Sequence, residues 1–138
     1  MRISTLQREV SRIYALVRRV DPRVVGTFPR AQFARWIEAA NIGTADSPTW
    51  RCGYCMATIR AGELSIDHQT PRSLGGPSTQ DNLMISCDRC NRLKGSMTAA
   101  GYRCLLEALW KMSSHDAASV TRRLLSIQQR GWKRTKAS

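Results

Sequence analysis

The chain has 138 residues, 42% hydrophobic and 23% charged, and its 22 Lys and Arg against 10 Asp and Glu give a net charge of +12. Such a composition suits one folded domain with a small core; it excludes wholesale disorder and, with no run near ~18 apolar residues, a transmembrane helix. The positive excess implies a polyanionic partner, nucleic acid before an acidic membrane surface, and it sits on the flanks: eight Arg against two acids over residues 1–35, and eight bases against two acids over 98–138.

The first ten residues (MRISTLQREV) hold no apolar run, so no secretory leader is expected and the chain is read as cytoplasmic. Ile3, Leu6, Val10, Ile13, Val17 and Val20 recur every three or four residues and predict a helix over 3–20. Arg8, Arg12 and Arg19 fall on its other side, and Asp21-Pro22 ends it. Pro29 opens a second helix to about Ala40, with Phe33, Trp36 and Ile37 as its apolar side. The turn-rich stretch 41–49 closes this basic N-terminal region, taken as 1–45.

From Trp50 the pattern changes. Residues 54–59 and 63–67 predict the two strands of a hairpin turning at Arg60-Ala61-Gly62. Residues 69–80, with Pro71, Gly75, Gly76 and Pro77, must be a loop. Residues 82–86 are short and apolar, and 88–94 predict a short helix ended by Gly95. Thr98 is the expected N-cap of a third long helix striped by Tyr102, Leu105, Leu106, Leu109 and Met112. Ser113-x-x-Asp116 resembles a capping box for a fourth, with Gly131 as its stop and a mobile tail beyond. Residues 50–97 are thus a central unit and 98–138 a helical one ending in a basic tail.

Four of the five cysteines form two C-x-x-C knuckles, Cys52 with Cys55 and Cys87 with Cys90, separated by 31 residues. Each knuckle turns two thiolates toward one point, so together they suit a structural four-cysteine zinc site with no position left for water. Vicinal redox pairs or disulfides are the alternatives, and a reducing interior disfavours the latter. Cys104, on or near a helical apolar face, reads as a small buried hydrophobe.

Between and beside the knuckles lie Asp67-His68, Pro71, Gly75-Gly76, Asp81-Asn82-Leu83, Asn91 and Lys94-Gly95. In order and spacing this resembles the HNH endonucleases, the zinc-containing branch of the ββα-metal (His-Me finger) nucleases, over about a third of the chain. Asn91 stands where most members carry a last histidine, the H-N-N form of the motif. The resemblance implies an α+β fold with a small ββα-metal core flanked by helices from both termini. It implies a phosphodiesterase acting on DNA, expected to be double-stranded, that leaves 5′-phosphate and 3′-hydroxyl ends. His68 would be the general base, Asp67 and Asn91 the ligands of a catalytic Mg²⁺ or Mn²⁺, and Asn82 the holder of the loop that orients the base. Small stand-alone members are similar to proteins of bacteriophages and bacteria, some acting beside the packaging terminase.

The chemistry agrees. In-line hydrolysis of a phosphodiester needs a base beside the water and a cation at the phosphate. His68 is one of two histidines, and an imidazole near neutrality can accept that proton. Neighbours on a strand point to opposite faces, so Asp67 and His68 share a site only where the strand ends or bends. Lys94, Arg72 and Arg92 flank the motif as candidate phosphate contacts, with Arg8, Arg12 and Arg19 as a basic stripe; a solvated helix end is the plainer account of Lys94. His115 reads as surface. Trp36, Trp50, Trp110 and Trp132 read as helix-packing residues, Trp132 also being placed to stack on a base. The rival reading is a non-catalytic zinc-ribbon DNA-binding protein, which explains charge and cysteines but gives no reason for Asp67-His68 or Asn91.

Overall fold

The computed structural model describes residues 2–137, with side chains described to residue 128. Helix α1 (Thr5–Val20) begins at a capping box in which the Ser4 hydroxyl and the Gln7 side chain satisfy each other's backbone N–H groups. Its buried side carries Val10, Ile13, Tyr14 and Val17, one residue wider than the predicted stripe, whose ends Ile3 and Val20 stay exposed. A single turn, α2 (Val24–Thr27), follows Asp21, too short to leave a periodic signal. Helix α3 (Arg30–Ala40) starts after Pro29 as expected. Tyr14, Phe28, Phe33 and Trp36 clasp the two helices together, with ring centroids 5.0–5.7 Å apart.

The strands pair differently from the predicted hairpin. Residues 54–59 and 63–67 do not pair with each other. Strand β1 (Thr49–Arg51) pairs antiparallel with β2 (Thr58–Arg60), and β3 (Leu64–His68) pairs antiparallel with β4 (Leu83–Cys87). The reason is the first knuckle. The Cys52 N–H donates to the Ala57 carbonyl and the Met56 N–H to the Cys52 carbonyl, so residues 52–57 are a turn and the chain ahead of them becomes the strand. Trp50 on β1 is fully buried and its indole N–H donates to the Ile37 carbonyl at 2.9 Å, fixing the hairpin on α3.

Helix α4 (Asp88–Lys94) follows β4 directly and packs on both β3 and β4, completing a ββα unit. Helix α1 lies along β3 on another side. Glu9, buried on α1, accepts from the Gly62 N–H and the Arg12 guanidinium, and Arg12 also donates to the Leu64 carbonyl at 3.1 Å. A buried carboxylate satisfied by a backbone donor and a cation locks the helix to the start of β3.

Helix α5 (Ala99–Trp110), capped by Thr98, and α6 (Ser114–Ala137) complete the fold, with α6 against α4. Three expectations fail here. Cys104 is exposed, because the buried side of α5 is led by Tyr102. Trp110 is 87% exposed and packs no helix. Helix α6 continues through Gly131, its expected stop, to Ala137. The side chain of Trp132 lies outside the described residues. No described helix is long and apolar enough to cross a membrane.

Candidate functional site

The two knuckles meet because a hydrogen bond joins them to one strand. The Gly53 N–H donates to the Ile85 carbonyl at 2.9 Å, bringing the first knuckle against β4, whose last residue is Cys87. A Cβ at position 53 would meet the Met84 side chain, which would have to shift to admit it. The four sulfurs of Cys52, Cys55, Cys87 and Cys90 lie within 4.8 Å of one another. Cys55 and Cys87 are 3.7 Å apart, the spacing that a tetrahedral zinc with bonds of ~2.3 Å imposes on its ligands. Backbone N–H groups of Tyr54 and Cys90 point at the sulfurs of Cys52 and Cys87, stabilising negative charge there. The Cys90 thiol hydrogen-bonds Cys52, drawing it down to about 4, and the same bond pushes Cys90 up. Donor set and spacing fit zinc.

A cleft of 720 Å³ opens between α1 and the ββα unit. Asp67, His68 and Asn91 all line it, together with Arg12, Arg72 and Ser65. Every residue of β3 from Leu64 to His68 lines it, so the cleft runs along the strand and takes in both Asp67 and His68 despite strand alternation. Asp67 is buried, and its Oδ2 accepts from the Tyr54 hydroxyl at 2.6 Å and pairs with the Lys94 ammonium at 3.3 Å. Burial pushes the Asp67 carboxyl above its ordinary value against the pull of Tyr54 and Lys94, while burial and Asp67 keep Tyr54 protonated. Asn91 donates through Nδ2 to the Ser65 hydroxyl at 2.6 Å, which leaves its amide oxygen as the available donor. One carboxylate and one amide oxygen beside a solvent-filled cleft suit a hard, largely hydrated cation.

Asn82 clamps the loop between β3 and β4. Its oxygen accepts from the Thr70 N–H at 2.9 Å, and its Nδ2 donates to the Thr70 and Pro77 carbonyls at 3.1 and 2.8 Å. Gly75, at φ +83°, makes the turn, and a Cβ on Gly76 would collide with the Thr70 carbonyl. The loop returns Ser78 to His68, whose Nε2 lies 2.8 Å from the Ser78 hydroxyl; that hydroxyl donates to Asp21 Oδ2 at 2.7 Å. Asp21 also accepts from the Arg23 N–H and guanidinium, each at 3.3 Å. The bond from Ser78, then those from Arg23, hold Asp21 below the ordinary carboxylate range against its burial. Burial pushes His68 below its ordinary value, keeping the ring neutral at pH 7.

The basic residues separate into groups. Lys94 is fully buried, donating to the His68 carbonyl at 2.8 Å and facing Asp67, so the sequence reading of a phosphate contact or a solvated helix end is corrected: the ammonium props β3 from beneath. Arg12 and Arg72 line the cleft, Arg12 committed to Glu9 and Leu64 and Arg72 donating to the Val20 carbonyl 3.9 Å from Asp21. Arg92 is exposed on α4 beside Asp88 at 3.0 Å, and Arg8 and Arg19 are exposed on α1. His115 is exposed. Replacing Lys94 with Met is expected to cost about 3–5 kcal/mol at pH 7, the usual penalty for orphaning one partner of a buried pair. The penalty should shrink as pH falls through the raised Asp67 value, since a protonated carboxyl needs no counter-ion; urea unfolding across pH measures both.

Tyr54, Ser78 and Asp21 were not legible as site residues. Tyr54 sits inside a zinc knuckle, Ser78 in a loop without periodicity, and Asp21 at a helix end that looked like a simple stop.

Residues 52–97 match a family model described as HNH endonuclease. A stretch of 47 residues, 33% of this chain, is 38% identical to part of the CRISPR-associated endonuclease Cas9 of Corynebacterium diphtheriae, and it spans 4% of that protein's length. The motif resemblance is thereby shown for the central segment, from the first knuckle to just beyond α4.

Proposed function

We propose that this chain, whose residues 52–97 are an HNH endonuclease segment, is a metal-dependent DNA endonuclease that hydrolyses phosphodiester bonds. What carries this reading is that Asp67, His68 and Asn91 line one cleft, with guanidinium groups of Arg12 and Arg72 on its wall. His68, neutral at pH 7, takes the proton of the attacking water. Asp67 and Asn91 would hold Mg²⁺ or Mn²⁺, which when bound offsets charge at the phosphate and supports the departing 3′ oxygen. Asn82 keeps the loop in place, and Tyr54 and Lys94 hold Asp67 against the wall of the cleft. The exposed Arg8, Arg19 and Arg92 supply phosphate contacts whose affinity falls with salt and carries no base preference.

The test uses zinc-loaded protein and supercoiled plasmid. Nicking or linearisation is expected with Mg²⁺ or Mn²⁺, none in buffer stripped of divalent ions, and a loss of divalent binding by calorimetry in Asp67→Ala and Asn91→Ala. Plasmid binding without cleavage and without a second metal site would instead support the non-catalytic zinc-ribbon reading.

A further inference from the structure

We propose that Asp21 and Ser78 fix the tautomer of His68, so that Nδ1 is the nitrogen that receives the proton. The inference rests on the reading of His68 as general base, and its structural half stands without it.

Hydrogens can be counted along one chain of atoms. Asp21 Oδ1 faces two N–H donors, both from Arg23, and Oδ2 faces the Ser78 hydroxyl. An ionised carboxylate only accepts. The single Ser78 hydrogen is therefore spent on Asp21, and the Ser78 oxygen must accept from its other neighbour, His68 Nε2, at 2.8 Å. The ring thus carries its hydrogen on Nε2 and its lone pair on Nδ1. Nδ1 has no protein partner among the described residues, and His68 lines the cleft. When Nδ1 takes a proton from water, the new positive charge is felt by Asp21 through Ser78.

The chain of atoms is held rigidly. Ser78 and Asp21 are 1% and 2% exposed, and the Thr27 hydroxyl donates to the Ser78 carbonyl at 2.6 Å. Asp21 and Thr27 lie outside the 52–97 segment, so the N-terminal helices have a role in the site beyond binding phosphates. Both Asp21 and Ser78 are positioning residues.

Asp21→Asn gives the sharpest test. The introduced amide oxygen keeps the two Arg23 donors, which turns the amide NH₂ toward Ser78. The relay then runs backwards: the amide donates to Ser78, Ser78 donates to Nε2, and the ring hydrogen moves to Nδ1. Long-range ¹H–¹⁵N correlation spectra of ¹⁵N-histidine protein, with His115→Gln for assignment, read this directly. Wild type is expected to show the Nε2–H pattern, Asp21→Asn the Nδ1–H pattern and Ser78→Ala a mixture of the two. Plasmid-nicking kcat should fall by about 10² or more in Asp21→Asn with KM little changed, as misplaced tautomers do elsewhere. In Ser78→Ala the fall should be roughly tenfold.

An Nε2–H pattern and wild-type kcat in either folded variant would overturn the proposal. A tautomer that inverts as expected in a protein with no metal-dependent nicking would uphold the relay and sink the nuclease reading alone. Should Asp21→Asn fail to fold, Ser78→Ala decides by the same spectrum.

Discussion

Replacing His68 with Ala is expected to slow plasmid cleavage by about 10²–10⁴, the span that a positioned proton acceptor contributes. DNA affinity and zinc content should stay at wild-type levels. The expectation follows from what the side chain touches. Its one hydrogen bond among the described residues is to Ser78, and in its absence Ser78 still donates to Asp21, so no buried polar group is orphaned. The zinc cysteines take no support from the ring, and the Arg12, Arg72 and Asn91 contacts do not involve it. Loss of rate without loss of binding or fold is therefore the signature of the missing base. Equal nicking by wild type and His68→Ala would remove His68 from the mechanism. A parallel loss of DNA binding would make its role structural.

Removing zinc should have the largest effect on the fold. The strands are three to five residues long and form two separate two-stranded ladders, each marginal alone in water. What joins the β1–β2 hairpin to β4 and α4 is the cysteine cluster and the Gly53 to Ile85 hydrogen bond. Zinc bound by such clusters contributes roughly 10–16 kcal/mol, comparable to the whole stability of an ordinary domain at about 5–15 kcal/mol. Excess chelator is expected to release one zinc per chain, with loss of far-ultraviolet circular dichroism over the central segment. Zinc should restore the signal and Mg²⁺ should not, which separates this site from the proposed catalytic one. Asp67, His68 and Asn91 sit on β3 and α4, so cleavage must vanish with the fold. A native spectrum in the metal-free protein would refute the staple.

Much of this was readable from residue order. Long helices announced themselves through spacing, because α1 and α3 bury one stripe against each other and α1 also lies on β3, while α5 turns Tyr102 onto Tyr54 of the first knuckle. The zinc knuckles and Asp67-His68 announced themselves through chemistry that tolerates few substitutes. The strands did not. Three residues of β1 carry no periodicity, and the knuckle's turn moved the pairing from 54–59 with 63–67 to 49–51 with 58–60. Lys94 was misjudged because a lysine at a helix end is usually solvated; only the depth of Asp67 under the strand explains its burial. The Asp21–Ser78 link spans 57 residues, and nothing local marks either end.

Helix α1 and its C-cap touch the two ends of β3 through residues nine positions apart: Arg12 at Leu64, and Asp21, by way of Ser78, at His68. Nine helical steps of ~1.5 Å and four strand steps of ~3.3 Å come to nearly the same ~13 Å. The helix thus works as a gauge laid beside the strand. One residue added between positions 12 and 21 would swing the far end by about 100°, so the length of that stretch is fixed as firmly as its buried Ile13, Tyr14 and Val17.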